Sequence, residues 1–299
     1  MPIPVLLTFL LLAGALVAVW LHRLLPAPLF AAALLAGLLG GVLHWPALLS
    51  LGLLAGAAWL AARGGSSTAA AAAVNAAARG APLRALALAV VIVLSLALAM
   101  HKLPGFNNPV LIDHVQLSPG ALPFTQYANF DKGAVGLILL AWLCQRMTSR
   151  AELAPVLRQT APVLAVTVAA TLGFALAAGV VGVDLKFPPQ TLSFVAVNLL
   201  FTVIAEEAFF RGLLQARLAA ALRRYRWGPW LAVAASALLF GAAHLGGGAR
   251  YAILATIAGL GYAWAYQRTQ RIESSILVHI ALNTVHFIAF TYPARIDGV

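Results

Sequence analysis

"TLSFVAVNLLFTVIAEEAFFRG", Thr191–Gly212, is the stretch on which the fold turns. Eleven of its first fifteen residues are apolar and none is charged, and Pro188 and Pro189 stand just before them. That arrangement reads as a hydrophobic helix with a defined start. Glu206, Glu207 and Arg211 then follow, in a chain of 299 residues with only eight acids. A charged side chain near the middle of a bilayer costs about 2.5–3.5 kcal/mol, so something must offset these. Glu207 and Arg211 are four apart with the acid first, the favoured direction for a helical ion pair. Pairing is what makes a buried charge tolerable. Glu206 lies about 100° further round the helix, does not share that partner as easily, and is left to face a cavity. The competing reading puts both acids at the cytoplasmic interface, solvated beside the basic loop that follows.

The rest of the chain supports a membrane setting. It is 63% hydrophobic and 9% charged, with a mean hydropathy of +0.95. Soluble domains carry about 25% charge. The fold class is therefore all-α, a polytopic transmembrane helix bundle. Apolar runs of spanning length fall at 4–22, 28–44, 47–62, 83–100, 133–147, 160–182, 191–210, 229–245, 251–267 and 274–291. That gives about ten spans, or eight to ten, because only "HWP" separates the second and third, which form a hairpin or one broken element.

Alternating ten spans from an outside N-terminus puts 14 Lys and Arg inside, Arg211 to Arg226 among them, and 5 outside. This is the asymmetry that cytoplasmic loops show. It implies an integral protein of a bacterial inner membrane with its site accessible from the cytoplasm. The net charge of +11 is spread among hydrophobic spans, with no basic cluster interleaved with aromatics. Nucleic acid is excluded as a partner on that ground. The single cysteine, Cys144, allows neither an intrachain disulfide nor a cysteine metal cluster. The opening "MPIPVLLTFLLLAGALVAVWLHR" lacks a basic leading region and reads as a retained helix.

Two connections differ from the others. Residues 64–82 are alanine-rich and of low complexity, a linker or a short interfacial helix. Residues 101–133 are long and rich in Pro, Gly and Asn, and read as an external loop. The composition shift there divides an N-terminal transmembrane region, 1–130, of unassigned role from a core at 131–299. No internal repeat of the transporter kind is visible.

Further polar residues sit in the later hydrophobic runs. "LLFGAAHLGGG" places His244 near a span end, with Phe240 one turn earlier on the same face. "SSILVHIALNTVHF" places His279, Asn283 and His286 on one helical stripe. Polar stripes in such helices face the bundle interior, either as interhelical hydrogen-bond partners or as part of a site. Together these helices hold the groups needed to take a proton from water and to hold negative charge developing on a carbonyl oxygen.

These residues resemble the three motifs of the CAAX protease and bacteriocin-processing enzyme family, which includes the type II CAAX prenyl endopeptidase and is described as glutamic intramembrane proteases. E-E-x-x-x-R stands as "EEAFFR" at 206–211, F-x-x-x-H as "FGAAH" at 240–244, and H-x-x-x-N as "HIALN" at 279–283. The resemblance spans roughly residues 135–292. It implies an intramembrane endopeptidase acting on a membrane-associated or lipidated protein or peptide in the bilayer. By the resemblance, Glu206 activates water and His244 orients it or relays the proton. His279 and Asn283 hold the scissile carbonyl and its oxyanion, and Glu207, Arg211 and Phe240 support them. No metal or other cofactor is implied.

Three other readings compete. One is a non-catalytic scaffold or bacteriocin-immunity protein on the same fold. Another is a zinc peptidase using His244, His279 and an acid, although "HExxH" is absent. The last is a proton-coupled transporter. The linear topology also sets a difficulty of depth, since it puts Glu206 and His279 nearer the cytoplasm and His244 nearer the outside. A shared site then requires longer, tilted or broken helices, for example with "RWGPW" at 226–230 entering the membrane, around a water-filled chamber at mid-depth.

Overall fold

Each apolar run forms a helix. The computed structural model describes residues 1–63 and 72–298, and among them are α1 (Ile3–Leu21), α2 (Pro26–Leu39), α3 (Trp45–Ala62) and α4 (Ala72–Ala99). A ribbon, β1 (Val110–Val115) and β2 (Phe124–Tyr127), follows. Then come α5 (Phe130–Trp142), α6 (Leu153–Ala177), α7 (Thr191–Ala221), α8 (Gly228–Ala243), α9 (Ala249–Thr269) and α10 (Ile272–Ala289). Prolines mark several starts, in the first turns of α1, α2, α3 and α8. A missing N–H costs nothing there, because those amides have no helical acceptor. The first part of the alanine-rich stretch, 64–71, lies outside the described residues, and from Ala72 the backbone is helical.

The expectation of ten spans needs refinement. Among the described residues six helices are long and apolar enough to cross a membrane: Ile3–Leu21, Trp45–Ala62, Ala81–Ala99, Arg150–Ala177, Thr191–Ala221 and Ile272–Ala289. Pro26–Leu39 and Gly228–Ala243 are apolar but, at 14 and 16 residues, shorter. At 1.5 Å per residue they reach about 21 and 24 Å, against a hydrocarbon core of about 30 Å. A hydropathy run counts the apolar letters of turns as well as of helices. The run 28–44 thus includes the turn at Gly41, where φ is +70°. That turn makes α2 and α3 separate helices, α2 packing on α1 and α3 on α4.

By packing, the chain forms two compact units, Met1–Pro109 with Asn129–Cys144, and Val110–Ala128 with Gln145–Val299. This differs from a single cut after residue 130, and α5 is the reason. Its residues from Phe130 to Leu140 are buried apart from Lys132. The Phe130 ring meets Phe9 edge-on at 6.2 Å and stacks on Phe30 at 6.4 Å. Asp131, also buried, accepts hydrogen bonds from His101 Nδ1 (2.6 Å) and Asn108 Nδ2 (3.1 Å). Asn108 Oδ1 in turn accepts the Phe130 N–H at 2.8 Å. An acid and a side-chain acceptor at a helix start satisfy its orphan amides and its dipole.

The second unit holds α6 to α10 and the ribbon. The ribbon is antiparallel, pairing Val110 with Tyr127 and Val115 with Phe124, where the sequence reads only as a long loop. Small residues let the helices approach closely. A Cβ on Gly241 of α8 would overlap Thr256 Oγ1 of α9, and one on Gly261 of α9 would overlap Thr167 of α6. After α10 the chain doubles back as a strap. Thr291 N–H donates to Gly182 O (2.8 Å), Arg295 N–H to Val180 O (2.9 Å) and Ile296 N–H to Gly120 O (3.0 Å). Aromatic rings pin the strap to the helix ends. Phe194 stacks on Phe287 at 4.0 Å, and Tyr292 meets Phe124 edge-on at 5.0 Å.

Candidate active site

α7 does not stop where its apolar letters stop. The helix runs 31 residues, Thr191–Ala221, so Glu206 has fifteen residues on either side and sits at mid-helix. The turn to α8 is tight enough that a Cβ on Gly228 would lie 2.7 Å from the Leu222 carbonyl carbon. Glu206 is sixteen residues before Leu222, and His244 is sixteen after Gly228. Both are thus about 24 Å from the turn at 1.5 Å per residue. The length of α7 removes the difficulty of depth. It also corrects the charge count. Arg211 is not a loop residue but a fully buried one, which leaves 13 of the 14 basic residues assigned to the inner side.

Two segments of α7 are π-helical, Leu199–Val203 and Ala208–Gln215, flanking a short α stretch, Ile204–Glu207. A π turn bonds i to i+5 and holds more residues per revolution than an α turn. Residues four apart therefore stay close to one face, and the helix presents two stripes. Asn198, Thr202 and Glu206 line a cavity. Glu207, Arg211 and Gln215 are buried and bond to their neighbours. Arg211 Nη1 donates to Glu207 Oε1 at 3.0 Å, Arg211 Nη2 to Gly259 O at 3.0 Å, and Gln215 Nε2 to Ala263 O at 2.9 Å. Gly259 and Ala263 advance along α9 as Arg211 and Gln215 advance along α7, so these two helices run parallel. The position of Gly259 matters sterically, because a Cβ there would stand 3.3 Å from Arg211 Nη2 and 3.2 Å from the Phe240 ring. Arg211 also lies over the Phe240 ring at 4.6 Å, a cation–π contact that aids a charge held away from water.

α10 brings in its stripe from the other side. His279 Nδ1 is 2.7 Å from Glu207 Oε1. A carboxylate only accepts, so Nδ1 carries the proton and donates. The imidazole is clamped further, stacked on Tyr262 at 4.2 Å and 15° and meeting Phe240 edge-on at 5.8 Å. Asn283 Nδ2 donates to Asn198 Oδ1 at 2.9 Å. His244 Nδ1 donates to the Phe240 carbonyl at 2.7 Å, which fixes its tautomer and leaves Nε2 for other partners. Phe240 thus touches both histidines and the arginine.

Glu206, His244, His279 and Asn283, together with Phe240, line one cavity of about 360 Å³. Glu207 and Arg211 stand behind its wall with no exposed surface. His286, the third member of the α10 stripe, reaches the same cavity. There its Nε2 lies 3.3 Å from the Thr291 carbonyl, to which it donates, and its ring packs on Tyr292 at 4.9 Å. The strap residues Tyr292, Pro293 and Ala294 line the cavity too. Among the described residues no group of three His, Cys, Asp or Glu stands close enough together to hold a metal ion.

Several lining residues carry no motif signal. Asn198 and Thr202 were nonetheless legible as an i, i+4, i+8 polar series ending on Glu206 inside an apolar helix. Tyr262 and Tyr251, the latter 5.4 Å edge-on from His244, had no such signal, because α9 mixes apolar and polar residues along its length.

Residues 188–285 match the family model described as type II CAAX prenyl endopeptidase Rce1-like. No curated protein and no solved structure matches the chain. The matched segment is narrower than the motif-based resemblance, but it contains all three motifs, from Glu206 to Asn283. The match covers 98 of the 299 residues, and over this segment the chain is similar to the Rce1-like type II CAAX prenyl endopeptidases.

Proposed function

We propose that the chain is an intramembrane glutamic endopeptidase that cleaves a peptide bond in a membrane-associated or lipidated protein or peptide. One observation carries the reading: Glu206, His244, His279 and Asn283, from three different helices, line a single cavity, while Glu207 is withdrawn to hold His279 and Arg211. In this reading Glu206 takes a proton from water as general base. His244, with Nδ1 committed to the Phe240 carbonyl, uses Nε2 to orient the water or pass its proton on. Asn283 and His279 hold the developing oxyanion. Donation from His279 Nε2, while Nδ1 donates to Glu207, requires the imidazolium, whose charge the Glu207 carboxylate balances. The reading routes no step through a metal or cofactor. It takes the protein to lie in a bacterial inner membrane, with 13 basic residues on the cytoplasmic side by alternation. Arg250 and the strap residues that line the cavity fall on the opposite side by the same count, which argues against the expected access from the cytoplasm.

The test is a comparison of terminal peptides, in membrane and secreted proteomes, between wild-type cells and cells carrying Glu206→Ala. The expected result is a small set of new termini that vanish in the variant. Identical sets in both strains, at equal protein levels, favour a scaffold that needs the fold and not the acid.

The stripe on α10 divides by role. His279→Gln and Asn283→Leu are expected to lower turnover about 10²–10³-fold, as loss of one oxyanion donor does, with little change in substrate binding. His286 is seven residues beyond His279, about 10 Å along the axis, and its ring bonds to the strap instead. His286→Gln is expected to keep most activity. Turnover of His286→Gln as low as that of His279→Gln, at normal protein levels, makes His286 a third member of the site.

A further inference from the structure

We infer that Asn198 is a positioning residue for Asn283, turning the carboxamide of Asn283 so that its free N–H faces the reacting carbonyl. The inference rests on the reading of Asn283 as an oxyanion donor. An asparagine side chain ends in an amide that rotates about a soft torsion, and its oxygen and nitrogen present opposite hydrogen-bonding character. A donor to an oxyanion must present nitrogen, because presenting oxygen would set two negative centres against each other. Something must therefore choose the face, and in this structure the choice is made by α7. Asn283 Nδ2 donates one of its two protons to Asn198 Oδ1 at 2.9 Å. Both residues line the cavity, so the second proton is left on that side, and preorganisation is what gives such a donor its value.

The geometry of α7 supports a dedicated arrangement. In a straight α-helix Asn198 and Glu206, eight residues apart, point about 80° away from each other. The π segment Leu199–Val203 lies between them, and its wider turns take up part of that rotation, so both side chains reach the same cavity. Turns of this kind recur at functional sites. One helix thus supplies the base and, two turns earlier, the group that aims the oxyanion donor. A hydrophobic residue would be the simpler occupant of position 198 in an apolar helix. An amide there needs a partner, and its partner is Asn283.

The direction of the bond makes the inference testable. Aspartate has the shape of asparagine but offers acceptors only at an ionised carboxylate. Asn198→Asp therefore keeps the bond if Asn283 donates and breaks it if Asn283 accepts. Asn198→Leu removes the bond in either case and suits an apolar helix, so the fold is retained.

The first measurement needs no substrate. The whole chain is labelled with ¹⁵N-asparagine in lipid nanodiscs, and the Asn283 side-chain amide is identified from its loss in Asn283→Ala. Its bonded proton is expected to move upfield in Asn198→Leu and to stay downfield in Asn198→Asp. The second measurement uses an internally quenched peptide built on a cleavage junction found in the proteome comparison. Asn198→Leu is expected to lower kcat by up to about 10²-fold, the scale of a misaimed catalytic group, with KM unchanged. Asn198→Asp is expected to recover most of that loss, and Asn198→Leu to cost nothing further in an Asn283→Leu background.

An Asn283 amide signal unaffected by Asn198→Leu overturns the inference, as does wild-type kcat in Asn198→Leu. Equal losses in the leucine and aspartate variants also overturn it. Failure of the broader reading is distinct: Glu206→Gln would then cleave like the wild type, whatever the amide signal does.

Discussion

Glu206→Gln is expected to lower peptidase turnover about 10²–10⁴-fold, the range for loss of a general base, and to leave thermal stability close to that of the wild type. The two adjacent acids occupy different environments. Glu206 lines the cavity, whereas Glu207 is fully buried and carries the bonds to Arg211 and His279. Glutamine keeps the size and the polar surface of Glu206, so the helix and the cavity wall persist. What it loses is the ability to accept a proton. Purified protein in micelles, assayed with a junction peptide and melted in parallel, measures both quantities. Turnover within a few-fold of wild type removes Glu206 from the chemistry. A chelator is expected to leave wild-type turnover unchanged, and a loss restored by added zinc would transfer the chemistry to a metal.

Much of this arrangement can be read from the letters, and the parts that cannot have physical causes. Each of the ten apolar runs became a helix, because a bilayer-compatible segment must satisfy its backbone internally. The three motifs met around one cavity, as stripes of polar residues in apolar helices should. The separation of Glu206 from Glu207 was legible because i, i+4 pairing assigns Arg211 to only one of them.

Helix ends were less legible. A run is judged to stop at a charge, yet the Glu207–Arg211 pair is buried and α7 continues through it to Ala221. That one misplaced boundary moved Glu206 from mid-helix to a helix end and produced the difficulty of depth. It also placed Arg211 in a loop. The π turns of α7 leave no mark in composition, since they depend on how the helix packs rather than on which residues it holds. Asn198 was missed because an amide is less conspicuous than a charge, although its spacing from Thr202 and Glu206 was in view. The membership of α5 in the N-terminal unit was invisible as well. It follows from Phe130 meeting Phe9 and Phe30, contacts across about a hundred residues that no local pattern encodes.

Breaking the buried pair should cost stability as well as activity. Arg211→Leu is expected to destabilise the protein by about 3–5 kcal/mol, the usual penalty when one partner of a buried ion pair is removed. The Glu207 carboxylate has no exposed surface and Oε1 accepts from both Arg211 and His279. Without Arg211 it must remain charged with His279 as its remaining partner or take up a proton, and a protonated Glu207 no longer supports an imidazolium at His279. Glu207→Leu leaves the mirror-image problem, a guanidinium held only by the Gly259 carbonyl and the surrounding rings.

The double variant separates the two effects. Glu207→Leu with Arg211→Leu removes both charges, and replacing a buried pair by apolar groups is often neutral or stabilising. It should therefore melt above either single variant. It should also stay as inactive as Glu207→Leu, because His279 Nδ1 still lacks its acceptor. Denaturation in micelles, followed by helical circular dichroism, tests the stability order, and the junction peptide tests the activity. An Arg211→Leu variant that melts with the wild type would mean that water reaches this pair and screens it. A double variant that regains turnover along with stability would mean that the pair serves the fold alone and that His279 is oriented by Tyr262 and Phe240 without Glu207.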